Sequence, residues 1–150
     1  AQATCGTLQN LACAADNRVP LVRDGAHIAV MAAARAHCGG VVVARHACVT
    51  LNNLATEDDN AIPLVRDGAH TAVIAAMRAH VSDVEVARYA CGTLQSLSVA
   101  DNNRAPLVRA GAHTAVMAAA QAHSSDMEVS RAANAVAHNL SSDNTSCVVQ

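Results

Sequence analysis

Arg45, Arg88 and Arg131 stand 43 residues apart, and each guanidinium could fork onto a carboxylate or phosphate through two parallel N–H bonds. Two helical turns further along lie Asn53, Ser96 and Asn139, with Asn10 one period earlier. An amide side chain donates to a carbonyl and accepts from an N–H, so a row of them could hold the backbone of an extended peptide whatever its sequence. Both rows also have a plainer reading. Glu85–Arg88 and Glu128–Arg131 have the i, i+3 spacing of helix ion pairs, while Val42 leaves Arg45 the freest of the three. The asparagines sit near helix C-termini, where they could satisfy a helix end or a neighbouring loop.

Eight histidines and six cysteines raise the question of metal and thiol chemistry. His27 and His37, like His70 with His80 and His113 with His123, are ten residues apart on one helix. That places them about 15 Å apart along the axis, too far to share an ion. Copies on stacked helices would be about 10 Å apart, again beyond shared ligation. His37, His80 and His123 fall at helix C-termini, where the helix dipole favours them. Cys5, Cys48 and Cys91 occupy one repeat position on an apolar face, and no CxxC occurs. Buried free thiols in a reducing compartment fit that pattern. No P-loop, GxSxG or HExxH is present, and identical side chains at regular spacing do not converge as acid, base and nucleophile must. The reading is therefore a non-enzymatic chain with no catalytic residues, no metal ligands and no cofactor.

The elements that must position these rows recur with them. Pro20, Pro63 and Pro106 keep the 43-residue step, as do Gly25, Gly68 and Gly111. A strict period of 20 to 50 residues marks a stacked repeat array. Each unit reads as a short helix (Asn17–Asp24, Asn60–Asp67, Asn103–Ala110), with Asp or Asn as its N-cap and proline in its first turn, closed by glycine in a left-handed bend. A second helix follows at Ala26–His37, Ala69–His80 and Ala112–His123, and a third at Val41–Ala55, Val84–Val99 and Met127–Ser141. Asp83 and Asp126 are candidate caps of the third helix; the first unit has Gly39 and Gly40 there. Val43, Ala47, Leu51 and Leu54 share one face of that helix, as do Val86, Ala90, Leu94 and Leu97, so this face belongs to the core. The expected division is 1–15 as the third helix of a truncated repeat, repeats at 16–58, 59–101 and 102–144, and 145–150 as the start of another or a tail.

Hydrophobic residues make up 52% of the 150, yet aromatics only 1%, so the core is built from Ala, Val, Leu and Met on closely approaching helices. A net charge of −2 without runs of like charge argues against nucleic-acid and membrane partners. With no apolar stretch of about 18 residues and no leader-like start, the chain is expected to be soluble and cytoplasmic, the nucleus being the other intracellular option.

The short helix closed by glycine, then GAxxxVxAA, then EVxRxACxxLxxL, resembles the armadillo repeat over nearly the whole chain. HEAT repeats are the nearest alternative, but their two-helix unit usually lacks the glycine-closed short helix. The resemblance implies an all-α, right-handed solenoid of three-helix repeats whose third helices line a concave groove for extended peptides. It further implies that Asn10, Asn53 and Asn139 clamp a peptide backbone. Arg45, Arg88 and Arg131, two turns earlier on the same face, could by their spacing form a basic rail along that groove for acidic or phosphorylated segments. The position where peptide-binding members often carry tryptophan holds Gly6, Val49, Gly92 and Ala135, which argues against a receptor for nuclear-localisation signals. The expected function is a protein-interaction scaffold. The alternative is a structural array whose uncovered ends self-associate or stack on further repeats.

Overall fold

Gly25, Gly68 and Gly111 have φ of 82°, 93° and 80°, and among the described residues no other residue has positive φ. An L side chain is disfavoured in this left-handed region, so glycine is what lets the chain fold back without a connecting loop. The computed structural model describes residues 1–141, and all its regular structure is helical. The expectation for 145–150 lies outside the described residues.

A leading helix, α1 (Gln2–Cys13), precedes three units of the same order. The short helices are α2 (Ala15–Arg23), α5 (Asp58–Arg66) and α8 (Asp101–Arg109). The middle helices are α3 (Ala26–Ala36), α6 (Ala69–Ala79) and α9 (Ala112–Ala122). The long helices are α4 (Val41–Ala55), α7 (Val84–Ser98) and α10 (Met127–Ser141). Each kind packs on its own kind: α1, α4, α7 and α10 in series, α2 on α5 on α8, and α3 on α6 on α9. Within a unit, the middle helix packs on the long one.

The core runs unbroken through the units. Leu51, Leu54, Leu94 and Leu97 are fully buried on α4 and α7, as are Leu64 and Leu107 on the short helices. Burying one such side chain contributes about 1.5–3 kcal/mol. Val43, Ala47, Val86 and Ala90 are buried with them, so the third-helix core face is as expected.

The short helices depart from the expectation in two ways. They begin two residues earlier, after Ala14, Glu57 and Ala100, and none has a side-chain cap. Asn17, Asn60 and Asn103 are therefore third residues of their helices and not N-caps. Pro20, Pro63 and Pro106 then stand inside the helix, in its second turn. Each withholds an N–H from the carbonyl four residues back, at Asp16, Asp59 or Asn102; these residues are exposed, where water can replace the lost bond. The caps on the long helices are as expected: the Asp83 and Asp126 carboxylates accept from the Val86 and Val129 amides at 2.9 and 3.0 Å.

Candidate functional site

The series α1, α4, α7 and α10 carries both candidate rows, and the structure shows how each side chain is engaged. Arg45 donates to Asp83 of the next unit through Nε at 3.0 Å and through its terminal nitrogen, and its Nε lies 3.2 Å from Glu85. Arg88 repeats the arrangement on Asp126, with Glu128 at 3.7 Å. Glu85 and Glu128 thus form their ion pairs with the arginine of the preceding unit, and Glu85 also acts through space on Arg88 of its own helix, as the i, i+3 spacing suggests. Each aspartate has two tasks, capping its own helix and tying it to the previous one. Arg45 holds the Asp83 carboxyl below its ordinary range, with the Val86 amide adding to the effect, and Arg88 does the same for Asp126. Arg131 is exposed and has no such partner among the described residues.

Because Asp83 has both tasks, Asp83→Ala is expected to destabilise the protein more than Arg45→Ala, which removes the tie and spares the cap. Urea melts of the two variants compare them directly. Equal losses would mean that the cap contributes nothing.

The asparagine row is less uniform than its spacing. Asn10 is exposed on α1, without a partner among the described residues. Asn53 Nδ2 approaches Cys13 Sγ at 3.8 Å, a weak contact. Asn139 donates to Ser98 Oγ at 2.9 Å. Asn53 and Asn139 thus reach back toward the preceding long helix.

A second asparagine row, which sequence reasoning took for N-caps, holds the units together. Asn60 Nδ2 donates to Leu54 O at 2.9 Å and Arg18 O at 3.1 Å. Asn103 Nδ2 donates to Leu97 O at 3.0 Å and Ala61 O at 2.9 Å. Each closes the C-terminal end of the preceding long helix and bonds the short helix one unit back. Asn17 donates to Leu11 O at 3.0 Å and makes no second bond of this kind among the described residues.

Two histidine rows also work between units. His80 donates from Nε2 to Cys38 O at 3.0 Å, and His123 to Val81 O at 2.9 Å, each reaching the turn of the previous unit. His27 is buried and donates from Nε2 to Asp67 Oδ2 at 2.8 Å. His70 is also buried, but Ala110 stands where Asp67 stands for His27; burial alone then lowers the affinity of His70 for a proton. Among the described residues no group of His, Cys, Asp and Glu is gathered closely enough to hold a metal ion.

Asp67 is shared by Arg66 and His27, and these two, Arg66 first, hold its carboxyl down at about 2, from an ordinary 3.8. A lowered carboxylate contributes stability that is complete above the unfolded value and lost as pH falls toward the folded one. Stability is therefore expected to decline as pH falls from about 3.8 to about 2. Asp67→Asn should flatten part of that decline in pH-dependent melts, and an unchanged slope would contradict the assignment.

The cysteines at the repeated position are buried, which disfavours their thiolate form. Burial pushes the Cys48 and Cys91 thiols up to about 12, and Cys5 is raised by the same cause. All five described cysteines are free.

The arrangement offers hydrogen-bonding and cationic groups in register along a series of packed helices. Most of its ionic chemistry is already used between units. No described helix is long and apolar enough to cross a membrane. No family model and no curated protein matches the chain.

Proposed function

We propose that this chain is an armadillo-type α-solenoid with a 43-residue repeat, acting as a non-enzymatic protein-interaction scaffold that takes an extended polypeptide along its third-helix face. The observation that carries this reading is the unbroken series α1, α4, α7 and α10, which sets equivalent side chains side by side on successive helices. Asn10, Asn53 and Asn139 are the backbone-reading groups of the proposed surface. Arg45 and Arg88 already share carboxylates, so Arg131 is the arginine of the row most open to an acidic ligand. Free, buried thiols agree with a cytoplasmic location.

The reading is tested by titrating acidic, neutral and basic extended peptide pools against the protein and against Asn53→Ala/Arg131→Ala. Binding that weakens in the double variant supports the scaffold. No binding from any pool, or equal binding by both proteins, rejects it.

A second reading has its own observation. Val108 and Met117 are 55% and 41% exposed, whereas their equivalents Val22 and Val65, and Met31 and Ile74, are buried. That end face would suit another repeat or a second copy. Sedimentation across concentration tests it, because a strict monomer at high concentration contradicts self-association.

A further inference from the structure

The middle helices leave a groove at each step of their series, and the two grooves differ. Between α3 and α6 the space measures about 460 Å³. The equivalent space between α6 and α9 measures about 110 Å³. Eight lining positions are shared, and at two of them the residue differs: Ala34 and Cys38 in the first groove are Met77 and Val81 in the second, while Met31, Gly68, Ala79 and His80 line the larger groove without counterparts in the smaller. Arg78, at the rim of the smaller groove, also lies over Gly111, 3.3 Å from where a Cβ would stand, whereas nothing approaches Gly68 at the matching place.

The larger groove has an apolar floor and a cationic lip. Met31 and Ala44, both buried, form its floor, and Ala72 and Ala76 line its side. Arg35 stands at its edge, exposed and without an ion pair or hydrogen bond among the described residues. His80 lies at the same edge with Nε2 already donated to Cys38 O. No carboxylate lines the space. Its volume falls in the range of about 300–1,000 Å³ typical of small-molecule sites.

We propose that the groove between α3 and α6 binds a small amphipathic carboxylate, its acyl chain on Met31, Ala34 and Ala44 and its head group on the guanidinium of Arg35. An unpaired guanidinium beside an apolar trough of this size complements a ligand with one anionic end. This site is separate from the third-helix face and does not depend on the scaffold reading.

Decanoate is the probe, with decanol and decyltrimethylammonium as head-group controls, measured by calorimetry and by nuclear Overhauser contacts to the Met31 methyl. Decanoate should bind one per chain and contact Met31. Decanol and the ammonium compound should bind at least about tenfold more weakly, the scale of one lost charged hydrogen bond. Arg35→Gln should reduce decanoate to the decanol level. Ala34→Met should abolish binding, and it should fold, because methionine is accommodated at the equivalent position 77. No decanoate binding, retained binding in Ala34→Met, or equal binding of decanoate and the ammonium compound would each overturn the proposal.

Discussion

Asn103→Ala is expected to lower unfolding free energy by about 2–4 kcal/mol: it removes the side-chain donor of the buried helix-end carbonyl of Leu97, worth roughly 1–3 kcal/mol, and a second bond to Ala61 O, worth about 0.5–1.5 kcal/mol, although Ala61 O keeps its helical donor. The side chain is 2% exposed, and both bonds, to Ala61 O and Leu97 O, are buried. For a chain of this length each kcal/mol corresponds to roughly 2–4 °C in melting temperature, so a shift of several degrees should be visible. Asn60→Ala should behave similarly, somewhat less severely because its bond to Arg18 O is only partly buried. Asn17→Ala is the internal control, with one bond in place of two. If Asn103→Ala and Asn17→Ala cost the same in urea melts, the second asparagine row does not hold the units together.

Gly68→Val should be the other severe change, costing about 2 kcal/mol or more. A side chain in the left-handed region costs about 1–2 kcal/mol, and β-branching adds to it. Gly68 has φ of 93°, and nothing lies within 4 Å of where its Cβ would be, so the loss would be backbone strain and not a clash. Gly39→Ala is the contrast: it has open space and no positive φ, so it should be neutral or slightly stabilising. A Gly68→Val protein as stable as the parent would show that the bend can be made another way.

The parts legible in the sequence were those that a single unit displays alone. The glycine bends, the Asp83 and Asp126 caps and the Leu51/Leu94 core face all follow from local spacing, because each depends on residues within a few turns of one another. The parts missed lie between units, at separations of about one period. Arg45 to Asp83 spans 38 residues, His27 to Asp67 spans 40, and Asn60 to Arg18 spans 42. Reading one repeat at a time cannot show which atoms face the next. A signal was nonetheless present. Arg45 and Arg88 each have an aspartate 38 residues on, while Gln2, at the same repeat position, has Gly40. The short-helix starts were missed because Asn17, Asn60 and Asn103 look like caps, and only the preceding carbonyls of Leu11, Leu54 and Leu97 reveal what their amides do. For the third-helix face, residue types were readable but not their engagement, since the carboxylates shared by Arg45 and Arg88 belong to the following unit.

An NMR titration following the side-chain amide resonances of Asn10, Asn53 and Asn139 would decide whether the third-helix face receives an extended polypeptide, as proposed. A peptide bound along this face should give saturable shifts of these resonances, spread along α1, α4 and α10. Shifts confined to the neighbourhood of Val108 and Met117, or asparagine resonances that stay fixed while the peptide binds elsewhere, would contradict that proposal.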